Sequence, residues 1–372
     1  MPRKVTVFFT GFLLVVAMAL SAAYIGGLFL PHASVVSPHI IPVSSDRSPI
    51  ISTHSYSFEK EIITITVPVS DSVYQGAKLT NKEVTIYGNI SKEVWIADSY
   101  RSMVNDPAQE DLYHALTMEF KKVKDSRGLS DDEYLELITT FVQSLRYETL
   151  TDNPAKFPVE TVVDGSGDCD DKSLLLAGLL SREGYRVALL SFGNESHMAL
   201  GVAADGFLYK NTNYSYIETT NFSFVGIPAD TLRGGRMLQS DPVIIPLGNG
   251  TKIYTSGNET SFISNAYKRS EQKVREMEPQ IKNHEADLTI RQEQIARLES
   301  QMQGMRGSGN IQDYNAQVSV HNRLVSDYNT RLNAYKALFA QYENAVKVHN
   351  YILEHNFDRP GVYAYVKQNW PE

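Results

Sequence analysis

The sequence predicts an α+β protein with an N-terminal transmembrane helix and a C-terminal antiparallel coiled-coil hairpin. Three observations carry that prediction. Residues 5–30 form an uncharged apolar run, VTVFFTGFLLVVAMALSAAYIGGLFL. Residues 58–262 mix alternating runs with helical periodicity, divided by Gly, Asn and Pro. From residue 263 onward, apolar and aromatic residues recur every seven positions on both sides of one glycine-rich break.

The N-terminal run comes first. As a helix it would be about 39 Å long at ~1.5 Å per residue, against a hydrocarbon core of ~30 Å. Arg3 and Lys4 precede it, which places the N-terminus in the cytoplasm and the bulk of the chain outside. A cleaved signal peptide is the competing reading, since Ala17-Met18-Ala19 and Ser21-Ala22-Ala23 offer small-residue sites. Six Asn-x-Ser/Thr sequons, at Asn89, Asn194, Asn213, Asn221, Asn249 and Asn258, fit an exported and glycosylated surface. The net charge of −8 and the lack of a basic run exclude nucleic acid as the expected partner. One cysteine excludes a disulfide framework and cysteine-based zinc fingers.

Residues 1–30 are thus expected to be an anchor and 31–57 an extended Pro/Ser/His stalk. Residues 58–262 should form the mixed domain. EIITITVPV, EVTIYGNI and EVWIA read as short strands. Leu112, Leu116, Phe120 and Val123 share one helical face. Ser130-Asp131-Asp132-Glu133 is a capping box before a second helix, YLELITTFVQSLRY. A third helix opens near Cys169 and ends at Gly184. RVALLSF, HMALGVAA, FLYKN and YIETT follow as strands, and Asn249-Gly250 suggests a hairpin between VIIPL and TKIY.

In residues 263–354, Tyr267, Val274, Ile281, Leu288, Ile295 and Met302 fall on one heptad row. Past a break at 304–310 the repeat restarts at Ile311, Val318, Val325, Leu332, Phe339, Val346 and Leu353. Two arms of ~60 Å are expected at 1.5 Å per residue, with Pro279 kinking or delaying the first. This arm would carry no chemistry and would offer a docking surface for a protein partner. Residues 355–372 read as a tail.

The chemistry-bearing feature is Gly165-Ser166-Gly167-Asp168-Cys169-Asp170-Asp171-Lys172, a glycine-rich turn running into a helix. Backbone N–H groups and the helix dipole at such a start favour a thiolate. His197 opens a strand 28 residues on, and Glu218 lies 21 further. Cys, His and carboxylate are the components of a thiol nucleophile with an oriented base. Asp168, Asp170 and Asp171 suit a helix N-terminus but oppose thiolate formation. With Asp164 they could instead form a calcium site, although the spacing matches no known loop. No metal and no cofactor is expected.

Residues 141–220, about a fifth of the chain, resemble the transglutaminase-like superfamily of papain-like cysteine enzymes. GDCDDKSLLLAGLLSREGYRVALL looks like the nucleophile helix and next strand, HMALGV like the histidine strand, and YIETT like the acidic strand. FPVETVVDGSGDC resembles the lead-in of exported, membrane-anchored prokaryotic members. The resemblance implies Cys169 as nucleophile, His197 as base and Glu218 as orienter, where the family's usual residue is Asp. Gln143 is the candidate oxyanion donor, since papain-like enzymes often use an upstream Gln. The activity implied is thiol acyl transfer on peptide or protein amides, by hydrolysis or crosslinking. The alternative is an inactive domain of the same fold that binds or scaffolds at the cell surface.

Overall fold

The computed structural model describes residues 34–148, 154–229, 232 and 235–370. The anchor expected at 1–30 lies outside the described residues. Among the described residues no helix is long and apolar enough to cross a membrane. The class is α+β.

Strands β2 (Ile50–Phe58) and β3 (Glu61–Val69) pair antiparallel, with Tyr56 opposite Ile63. Ile63, Ile65, Val67 and Val69 are buried, the period-two pattern of a strand with one face on a core. Strand β1 (Ser34–Val36) pairs with β4 (Thr85–Tyr87). Ile40 is buried, and its amide donates to Asp106 at 2.7 Å. These contacts correct the expected stalk at 31–57 and the expected domain start at 58. The Ser- and Thr-rich outer face of the hairpin imitates a linker in sequence, while Ser52, Tyr56 and Phe58 turn inward.

Helix α1 (Asp71–Leu79) was not signalled by periodicity; Ser70 caps it by accepting from the Val73 amide. Helix α2 (Lys92–Val104) corrects the strand expected at EVWIA. Its Ala97, Met103 and Val104 enter the core, so packing overrides the β-leaning composition. Helices α3 (Glu110–Arg127) and α4 (Asp131–Ser144) lie where the sequence puts them, and the Ser130/Glu133 capping box is formed in both directions.

Strand β5 (Arg146–Tyr147) pairs in parallel with β6 (Ser166–Gly167), and helix α5 (Pro158–Asp164) leads to α6 (Cys169–Arg182), the central helix. Residues 174–180 are buried on every side of it. It meets α2, α3, α4 and α5 on one flank and a sheet on the other. That sheet is antiparallel, in the order β10 (Val243–Leu247), β7 (Val187–Phe192), β8 (His197–Ala203), β9 (Tyr214–Ile217). FLYKN forms no strand: Phe207 and Lys210 both have positive φ. Nor does Asn249-Gly250 close a hairpin. VIIPL pairs with β7, while Lys252 and Tyr254 bridge in parallel to Tyr185 and Ala204. Gly250 is needed for close approach, because a Cβ there would lie 2.3 Å from the Tyr185 carbonyl oxygen.

Helices α7 (Gly257–Gly307) and α8 (Ile311–Glu354) run antiparallel. Arg291 meets Asp327, Glu285 meets Tyr335, and Tyr267 stacks on His349, in reverse chain order. Helix α7 passes through Pro279, and the turn comes at residues 308–310, so Gly304 and Gly307 stay helical. Ile311 and Leu353 are exposed, while Ala345, Val348 and Ile352 are buried. A straight helix drifts against a seven-residue repeat, and here burial shifts off the predicted row toward the base. Helix α9 (Arg359–Asn369) corrects the expected tail. Its Val362 and Val366 share a second core with Phe224, Ile263, Ala345 and Ile352.

Candidate active site

The site sits where α6 starts against β8 and the end of β9. Gly167 makes the entry possible: a Cβ there would stand 2.6 Å from the Asp171 Cβ. Asp168 is the N-cap. Its Oδ1 accepts from the amides of Asp170 and Asp171, and the Asp171 carboxylate accepts in return from the Asp168 amide. Asp171 also accepts from the Lys156 amide at 2.6 Å. Burial, then the charge of Asp168, push the Asp171 carboxyl up to about 7. The buried Lys172 ammonium donates to the carbonyls of Gln143 and Leu145, which ties α6 to the end of α4. Two of the three aspartates are therefore structural caps. Asp164 pairs instead with Tyr74, Lys78 and Lys156, so it does not complete the calcium cluster weighed from the sequence. The ligand atoms of Asp168, Cys169 and Asp170 do lie within 4.8 Å of one another.

Cys169 is the first residue of α6 and 8% exposed. Its thiol donates to Asp170 Oδ1 at 3.4 Å. Burial, followed by the Asp170 charge, raises the thiol well above its ordinary range. The sequence reading sets the helix dipole against the aspartate charges; burial adds to the charges and is the larger effect. Asp170 is in turn held by the Tyr100 hydroxyl at 2.9 Å.

His197 begins β8 and is paired with Phe192 across the turn. Its Nε2 lies 3.4 Å from Glu218 Oε2 and 3.1 Å from the Tyr216 hydroxyl. Tyr216 donates to the same Glu218 oxygen at 2.8 Å. Tyr216 and Glu218 stand two apart, so strand periodicity sends both to one face. The other Glu218 oxygen accepts from the amides of Thr219 and Thr220 and from the Thr220 hydroxyl. Burial would raise this carboxyl, but the hydrogen bond and charge of His197 and the Thr220 donors prevail and hold it at about 2. Glu218 is a fully engaged carboxylate, 1% exposed.

The structure thus joins His197 to Glu218 directly. Among the described residues no hydrogen bond joins the Cys169 sulfur to the His197 ring; the thiol's partner is Asp170. Resting thiol–imidazole pairs often tighten only with substrate bound. Gln143 is corrected as an oxyanion donor. Both hydrogens of its side-chain amide are spent, on the carbonyls of Glu218 at 2.8 Å and Ser223 at 2.9 Å. Sequence reasoning missed Tyr216 and Tyr100. Tyr216 had a signal, its place two residues before Glu218 on a strand. Tyr100 had none, since it arrives from a helix read as a strand.

A cleft of about 230 Å³ beside Tyr100 is lined by Trp95, Ile96, Ser99, Met103, Pro154 and Lys82. A second, of about 320 Å³, runs from Glu218 past Phe222 and Ile227 to Tyr267 and Ile352 at the base of the helical hairpin. No protein-family model, no curated protein and no solved structure matches this chain. The superfamily resemblance therefore stands on the residues named above.

Proposed function

We propose that this chain is a membrane-anchored, extracytoplasmic thiol acyl-transfer enzyme of transglutaminase-like type, acting on peptide or protein amides. The observation that supports it most is the Glu218–His197 pair beside a helix-start cysteine. Glu218 and Tyr216 both engage Nε2, which leaves Nδ1 as the nitrogen for proton transfer. Cys169 Sγ attacks the amide carbon as its proton passes to Nδ1. The C–N bond then breaks, the amine leaves with that proton, and a thioester remains on Cys169. Water, losing a proton to Nδ1, attacks the thioester; the acid leaves, and the thiol takes the proton back. With a primary amine in place of water the product is a crosslink. The cleft beside Tyr100 gives a peptide a route toward Asp170 and Cys169. Export agrees with the exposure of all six sequon asparagines.

A second reading has its own observation. The thiol is raised by burial and by Asp170, which suits a domain that binds peptides without cleaving them. Intact mass measurement of the full chain with a glutamine-containing peptide separates the two. The enzyme reading expects an acyl adduct on Cys169, released by hydroxylamine and absent in Cys169→Ser. Peptide binding with no adduct, unchanged in His197→Ala, would establish the scaffold instead.

A further inference from the structure

We infer that one face of the domain, built from β1, β4 and the end of α1, lies in the interfacial zone of the bilayer that holds the N-terminal anchor. Val36, Ile41, Leu79 and Tyr87 are all exposed there, Leu79 to 76% and Ile41 to 65%. Val36, Ile41 and Leu79 line one groove of about 390 Å³. Its presentation is rigid. Gly76 lets α1 press on the 41–42 backbone, where a Cβ would stand 2.4 Å from the Ile41 carbonyl oxygen.

Tether length identifies the occupant. The apolar run ends at Leu30 and β1 begins at Ser34. Four residues span at most about 14 Å when fully extended. Beyond the hydrocarbon edge the headgroup layer is ~6 Å deep. With Leu30 at the hydrocarbon edge, a retained anchor holds Ser34 within about 14 Å of that edge, and its register partner is Tyr87. A tyrosine with an apolar ring and a polar tip suits that depth. The polar groups lining the groove are mainly neutral, Ser37, Thr80, Asn81 and Thr85, with His39 beside them and Glu83 the one carboxylate. The fit is therefore to the boundary between acyl chains and headgroups, and a zwitterionic phosphatidylcholine bilayer suffices. This inference rests on the membrane-anchored reading above.

The test uses the full chain in phosphatidylcholine vesicles, in a Cys169→Ser background that leaves no other thiol. A fluorophore is placed in turn at Val16→Cys, Leu79→Cys, Tyr87→Cys and Asn213→Cys. Asn213 adjoins β9, at the sheet edge opposite β10, whereas α2 packs on both β1 and β10. Lipid-attached quenchers should dim positions 79 and 87 several-fold more than 213, and position 16 most. Quenching at 16 with 79 and 87 no different from 213 would overturn the inference alone. No quenching at 16 would overturn the anchored reading first. Energy transfer between labels at 79 on two copies, without lipid quenching, would give the face to a second copy and overturn the inference.

Discussion

At the scale of single residues, the site opposes two electrostatic tendencies. The start of α6 favours a thiolate, but burial and the Asp170 carboxylate favour the thiol, and burial is the larger effect. Asp170→Asn removes a charge 3.4 Å from the sulfur. Alkylation of Cys169 at a fixed pH near 8 should then be faster, about tenfold for each unit the thiol falls. An unchanged rate would show that desolvation alone sets the thiol. Tyr216→Phe removes the hydroxyl between His197 and Glu218. A hydrogen bond to a charged group contributes ~1.5–3 kcal/mol, so thioester formation should slow by at least about tenfold. Peptide binding measured on the same variant should be unchanged. The His197–Glu218 pairing was legible because residue type and order suggest it; the pairing of Cys169 with Asp170 rather than His197 was not. The loss of Gln143 as an oxyanion donor was not, because the sequence does not show which backbone carbonyls its amide meets.

At the scale of elements, Gln143 on α4 grips the loop that carries Glu218. It donates to the carbonyls at both ends, Glu218 and Ser223, while being almost fully buried. Gln143→Leu strands two buried acceptors and should cost about 1–3 kcal/mol in urea unfolding. It should also slow thioester formation while leaving Cys169 alkylation in place, because it loosens the acid and not the thiol. Gln143→Glu would test the role further, since a carboxylate cannot replace both donations. Elements with strong local signals were readable: the Ser130 capping box, the start of α6, and β7 and β8. Helices α1 and α5 were missed because nine and seven residues give too little periodicity. Helix α2 was misread because Val94, Trp95 and Ile96 lean toward strand, while packing against α6 decides the matter.

At the scale of the whole molecule, the hairpin arm is joined to the acid loop. Arg359 on α9 donates to the buried Glu136 carboxylate at 2.6 Å and pairs with Glu259, and Tyr254 donates to Glu136 as well. Asn356 donates to the Phe222 carbonyl, four residues past Glu218. Arg359→Leu leaves a buried carboxyl without its cation and should cost about 3 kcal/mol. Shortening the distal arms symmetrically, away from the shared base core, should leave stability and Cys169 alkylation unchanged. Stability should also depend on pH in a specific way. Burial raises Glu136 and Asp171 to about 7, so between their ordinary values and 7 the folded state binds more protons and stability falls as pH rises. Glu218, held at about 2, acts oppositely: its contribution is complete above its ordinary 4.5 and is lost as pH falls toward 2. In Glu136→Gln the thermal midpoint should therefore fall less, or rise more, between pH 5 and 7 than in the wild type; identical slopes in the two would contradict the assignment. The most direct test of the account is the second-order rate of Cys169 alkylation across pH 5–9 in the wild type, His197→Ala and Glu218→Gln. If the three residues act as one unit, the wild type alkylates faster than His197→Ala at every pH although burial keeps both thiols high, and Glu218→Gln falls between them. Superimposable curves for the wild type and a folded His197→Ala would contradict the acyl-transfer site.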